Sequence, residues 1–164
     1  MQEMRLERVT IRRGMLLAIP IFVIHFLEES PGFVAWVNAR LSEGITQDLF
    51  WTVNLTGLLI TLVVVFVAWN AASTGSMLLL AAWLSFLMLA NGLFHITAAI
   101  VDRAYVPGLV SAALLYLPYS IWMGRELLRT ARVSPAALAT VVILGAIPMA
   151  VHGYRIIFLG TRLF

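Results

Sequence analysis

The sequence predicts an all-α protein, a polytopic transmembrane bundle of five helices with one short interfacial or re-entrant segment. Three observations lead there. Hydrophobic residues make up 62% of the 164-residue chain and charged ones only 12%, with a mean hydropathy of +0.96. The apolar residues gather in stretches near the ~20 residues that a helix needs to cross ~30 Å of hydrocarbon. The breaks between stretches are made of Gly, Ser, Pro and Arg, which end helices and mark membrane edges. Residues 1–164 read as a single membrane domain.

The elements follow in order. Residues 1–13 are polar and carry Arg5, Arg8, Arg12 and Arg13. A charged start before a short apolar run is also the pattern of a signal peptide. No small-x-small cleavage site follows, so residues 14–29 read as a retained first span. Ser30-Pro31-Gly32 breaks it, because the residue before a proline is pushed out of the helical region. Phe33 to Leu41, with Trp36 and Arg40, then reads as the interfacial or re-entrant piece. Further spans are expected at about 49–72, 76–101, 104–124 and 136–158. Ser73-Thr74-Gly75-Ser76 punctuates the second gap, and Asp102-Arg103 with Pro107 the third. Pro20, Pro118 and Pro148 fall inside spans and are expected to kink them and open room for a cavity. Ala146-x-x-x-Ala150 is a signal for close helix approach.

Composition removes several kinds of chemistry. There is no cysteine, so thiolate nucleophiles and thiolate metal ligands are excluded. All eleven basic residues are arginine, so Schiff-base and lysine-base mechanisms are excluded too. The isoelectric point near 10.0 reflects arginine meeting anionic headgroups and does not point to nucleic acid. With the N-terminus cytoplasmic, the inner side holds Arg5, Arg8, Arg12, Arg13, Arg125, Arg129 and Arg132. The outer side holds Arg40, Arg103, Arg155 and Arg162. Seven against four favours N-terminus in and C-terminus out. Arginine without lysine hints at a GC-rich bacterial genome and a bacterial cytoplasmic membrane.

The candidate site comes from ionisable residues inside spans, which are costly there and mark function. At 1.5 Å rise per residue, His25 lies ~18 Å, Asn91 ~22 Å and His152 ~24 Å from the start of three spans that run the same way. His95 follows Asn91 by one turn, and Asn54 lies ~8 Å from the outer end of an oppositely directed span. His25, Glu28 and Glu29, at i, i+3 and i+4, share one helical face. The expectation is one cavity in the outer leaflet half that gathers all three histidines, both glutamates and two asparagines. Asn54 has the simpler reading of a helix-to-helix hydrogen bond. Tyr116 lies at a similar depth, either as an oxyanion donor or as aromatic packing. Arg155, one turn after His152, reads as an edge anchor or as a ligand for a lipid phosphate.

On His25-Phe26-Leu27-Glu28-Glu29, Asn91-Gly92-Leu93-Phe94-His95 and His152, the chain resembles the HXXEE-motif integral membrane proteins. The resemblance covers the whole membrane region. It implies that His25, Glu28 and Glu29, the Asn91/His95 pair and the late His152 are the residues that matter, and it brings no established function.

Three imidazoles and two carboxylates are a ligand set for a divalent transition metal, zinc first, with iron or manganese as alternatives. His25, His95 and His152, with Glu29, are the expected ligands. Glu28, Glu29 and Asn91 are the candidate catalytic groups, Arg155 and Tyr116 the substrate contacts, and Asn54 an outer support. The expected function is a metal-dependent hydrolase acting on a membrane lipid, an isoprenoid or a lipid-linked ester or amide. A metal-free acid/base isomerase is the alternative within the enzyme class. A proton- or ion-coupled carrier and a non-catalytic assembly subunit stand outside that class. The carrier lacks an obvious inverted repeat or a polar path through the inner leaflet.

Overall fold

The computed structural model describes residues 2–130 and 133–163, with side chains from Ile11 onward. Arg132 and the side chains of Arg5 and Arg8 therefore lie outside the described residues. Among the described residues the structure is all-helical. Six helices follow one another: α1 (Gln2–Glu29), α2 (Phe33–Asn38), α3 (Gln47–Ala71), α4 (Thr74–Asp102), α5 (residues 109–129) and α6 (Pro135–Leu159). Three of them, α3, α4 and α6, are long and apolar enough to cross a membrane.

α1 starts well before the expected residue 14, because the basic segment continues the helix instead of preceding it. It runs through Pro20 and stops at Glu29, where Pro31 forbids another turn and the Gly32 N–H closes onto the Glu29 carbonyl at 3.0 Å. Met15, Ala18, Phe22 and Phe26, three or four residues apart, form its buried stripe. α2 is shorter than the expected 33–41. Trp36 donates Nε1–H to Asp102 at 2.9 Å, Arg40 pairs with the same carboxylate, and the Arg40 guanidinium stacks over the Trp36 ring at 4.0 Å. The short helix is thus fastened to the end of α4.

α3 is capped by Thr46, which accepts from the Leu49 N–H at 3.1 Å, and it ends in a left-handed Ala72. Ser73 starts α4 with a reciprocal cap to Ser76, so the Ser/Gly cluster read as a gap is a helix start. α4 is the central helix. A π-helical turn at Ser85–Ala90 interrupts it immediately before Asn91, and such turns rotate the face that follows. α5 begins at 109 instead of 104, since Pro107 and Gly108, at φ 91°, hold 103–108 out of helical conformation. α6 starts at Pro135 behind the Ser134 cap and ends in a π turn at Arg155–Leu159 before Gly160.

The helices approach closely where side chains are small. A Cβ on Gly145 would stand 2.4 Å from the Ala82 carbonyl oxygen, and one on Gly153 would meet the Phe94 ring at 2.8 Å. The tight α4–α6 contact therefore runs through these glycines, which the Ala146/Ala150 spacing only neighbours. Polar contacts join other pairs. Tyr119 donates to the Gly14 carbonyl at 3.1 Å, and Trp83 donates to Thr61 at 2.9 Å. In lipid, where apolar burial drives little, such packing and bonding hold helices together.

Candidate metal centre

The last turn of α1, the last third of α4 and the start of α5 meet beneath α2. From α1 come His25 and Glu29, one turn apart, and from α4 comes His95; all three are buried, at 0%, 4% and 0% exposure. Glu29 Oε1 lies 3.1 Å from His95 Nε2 and 3.6 Å from His25 Nε2. The three candidate ligand atoms are all within 4.8 Å of one another. Four-coordinate zinc with bonds of 2.0–2.1 Å separates neighbouring ligand atoms by about 3.3 Å, so these distances suit three corners of such a site.

The hydrogen bonding also suits a metal. Neither His25 Nε2 nor His95 Nε2 makes a hydrogen bond among the described residues, despite standing beside a carboxylate. His25 Nδ1 lies 2.8 Å from Ser111 Oγ, and that hydroxyl can donate onward to the Gly108 carbonyl at 3.3 Å. If the serine proton is committed to the carbonyl, its oxygen accepts Nδ1–H from His25. The imidazole is then the tautomer whose Nε2 carries the free pair that a metal needs.

Gly108 closes the site on the side of α5. A Cβ there would stand 2.7 Å from His95, 3.0 Å from Glu29 and 3.0 Å from His25, and its φ of 91° already favours glycine. The Tyr116 ring lies against His25 at 4.1 Å between centroids, and its buried hydroxyl has no hydrogen bond among the described residues. Phe33 from α2 covers His95 at 5.8 Å.

The two glutamates of the motif separate. Glu28 turns to the start of α5, where it accepts from the Val110 N–H at 3.0 Å, the Ser111 N–H at 2.7 Å and the Tyr105 hydroxyl at 2.8 Å. A carboxylate on unpaired N–H groups at a helix start is a favourable cap. Burial first, and the Glu28 carboxylate beside it second, raise the pKa of Tyr105 above that of an ordinary phenol, which keeps it a donor. With its oxygens occupied by three donors, Glu28 is placed to hold α5 and not to serve as a base.

The expectation of a single cavity needs correction. His152 is not with the other histidines; its Nδ1 accepts the Leu163 N–H at 3.3 Å, and it lines a separate slot with Asn54. Asn54 donates to the Phe50 carbonyl at 3.0 Å, a bond within its own helix. Arg155 donates to Thr161 at 3.2 Å and faces a neighbouring polar cavity. Equal depth along a helix fixes no direction around it, and α6 turns His152 toward α3 and the C-terminal residues. Asn91 sits one turn before His95 with a buried Oδ1 that has no hydrogen bond among the described residues, outside the ligand group. Ser111, Gly108 and Tyr105 were not singled out by the sequence. The one available signal was the Pro107-Gly108 turn, whose positive φ opens a helix directly opposite the motif.

No curated protein and no solved structure matches the chain. His25, Glu29 and His95 all fall inside a matched family region that stops short of His152: with its residues 16–123 covered by the family's model, the chain belongs to the proteins of unknown function with the HXXEE motif.

Proposed function

We propose that the protein is a membrane-embedded, metal-dependent enzyme, a hydrolase of lipid or lipid-linked substrates, with zinc held by His25, Glu29 and His95. The observation that carries this reading is the convergence of two buried imidazole Nε2 atoms, neither with a hydrogen bond among the described residues, on one oxygen of the buried Glu29. Two histidines and one carboxylate leave a coordination position open, which is the mark of a catalytic rather than a structural zinc site. The same set with more open positions also takes iron. A metal there supplies Lewis acidity that polarises a carbonyl or phosphoryl oxygen. The chain does the rest. Ser111 sets the His25 tautomer, Glu28 holds the start of α5 in place, and Phe33 with Tyr116 keeps bulk water from the ligands. The Tyr116 hydroxyl, on a ring packed against His25 and without a hydrogen bond among the described residues, is the proton donor this reading assigns to the site.

In this reading α1 and α5 cross the membrane with α3, α4 and α6, and the centre lies toward the outer surface of a bacterial cytoplasmic membrane. Substrate then arrives laterally from the lipid.

Elemental analysis of detergent-purified protein tests the reading. About one equivalent of a transition metal is expected, lost in His25→Ala and in Glu29→Gln. A catalytically competent preparation without metal would replace the hydrolase with a proton-transfer enzyme, for which the 3.1 Å approach of His95 to Glu29 is also suited.

A further inference from the structure

One aromatic ring away from the candidate ligands lies a second feature, which shares only Phe33 with the centre. Between α2, α3 and the end of α6 runs an apolar slot of about 110 Å³, lined by Val37, Leu41, Leu49 and Val53 and reaching Phe33 and Phe50 at its inner end. Phe33 is the ring that also covers His95 at 5.8 Å. The α3 wall is open to the surroundings, with Val53 52% and Leu49 38% exposed. At its outer end the slot meets a polar cavity of about 230 Å³ formed by Arg155, Gly160, Thr161, Ser42 and Glu43. Arg162 and Leu41 line both. His152 holds the C-terminal residues in place through Leu163, which keeps Arg162 at this junction.

We propose that slot and cavity together bind one anionic membrane lipid, with its phosphate on Arg155 and Arg162 and one chain along α3. The argument is one of complementarity. Two guanidinium groups against a single carboxylate leave the cavity a net positive charge, and a guanidinium matches a phosphate with paired hydrogen bonds. The adjoining walls are mainly apolar, with Asn54 and His152 among them, and open sideways at α3, so a chain enters from lipid without leaving hydrocarbon. The bond between headgroup and chain would then lie at the junction that Arg162 and Leu41 line, with the end of the chain toward Phe33. That this lipid is the substrate rests on the proposed metal enzyme; that it binds does not.

The test uses the full chain in detergent, with native mass spectrometry as the readout. Dioleoyl phosphatidate, dioleoyl phosphatidylcholine and inorganic phosphate are the probes. The purified protein is expected to retain phosphatidate at least about tenfold more tightly than phosphatidylcholine, and Arg162→Gln to erase that preference, in keeping with the worth of hydrogen bonds to charged groups. Val53→Trp, on an exposed face, should block both lipids by filling the slot. Glu43→Gln should tighten phosphatidate, a gain that misfolding cannot produce. Equal retention of the two lipids, or an unchanged preference in Arg162→Gln or Glu43→Gln, overturns the proposal. So does inorganic phosphate displacing phosphatidate at equal concentration, which would mark a site for a free anion. Metal content measured on the same samples separates the two ideas. Metal without lipid preference removes this inference alone, and lipid preference without metal removes the proposed enzyme alone.

Discussion

His25 and Glu29 owe their pairing to helical spacing, but what would prepare His25 as a ligand is a residue eighty-six positions away, Ser111 on its Nδ1. Partners that orient a ligating imidazole are typically worth 10- to 100-fold in metal affinity. Ser111→Ala is therefore expected to weaken metal binding by roughly 10- to 100-fold while leaving the helical content intact, as read by competition with a chromophoric chelator beside circular dichroism. Unchanged affinity would mean that the His25 tautomer is set by something else. The histidines and glutamates were legible in the sequence because ionisable side chains are conspicuous within apolar runs. Ser111 and Gly108 were not, because serine and glycine are ordinary there. Their meaning lies in a 2.8 Å contact and a φ of 91° that exist only once α5 is docked. His152 was misplaced for the related reason that rise per residue gives depth, whereas direction around the helix comes from packing.

Among the elements, α5 supplies no candidate ligand but brings Ser111 and Gly108 against them, and Glu28 anchors its start through three hydrogen bonds. Removing a side-chain cap from a helix start costs about 0.5–2 kcal/mol. Glu28→Ala should lower the midpoint of thermal unfolding and weaken metal binding, because Ser111 and Gly108 are carried on the same turn. Glu29→Gln should abolish metal binding with little loss of stability. Thermal unfolding and metal titration of the two variants distinguish the clamp from the ligand; identical behaviour in both assays would refute the division of labour within the motif. The all-helical character was legible in the sequence, and three long apolar helices stand where spans were expected, but helix ends were less legible. The cap at Ser73 and the turn at Pro107-Gly108 each moved a boundary, and the π turn before Asn91 carries no periodic signature in an almost uniformly apolar stretch.

At the scale of the whole molecule, the outer surface is apolar on several sides. Phe66 is 68%, Ile100 71% and Leu114 68% exposed, on α3, α4 and α5 respectively, which suits contact with lipid rather than water. α1 and α5 carry more charge than α3, α4 and α6: Arg12, Arg13, Glu28 and Glu29 flank the apolar part of one, and Arg125 and Glu126 fall near the end of the other. If both cross, with the arginines of the α1 start and the α5 end inside, the metal centre, the slot and the arginine cavity all face outward. Because the chain has no cysteine, single thiols report topology without background. Arg103→Cys and Thr130→Cys, on either side of α5, are the informative pair. An impermeant thiol reagent applied to intact cells should label the first and spare the second. If only α3, α4 and α6 crossed, residues 103 and 130 would share a side and label alike. That outcome would remove the five-helix arrangement while leaving the three ligands where they are.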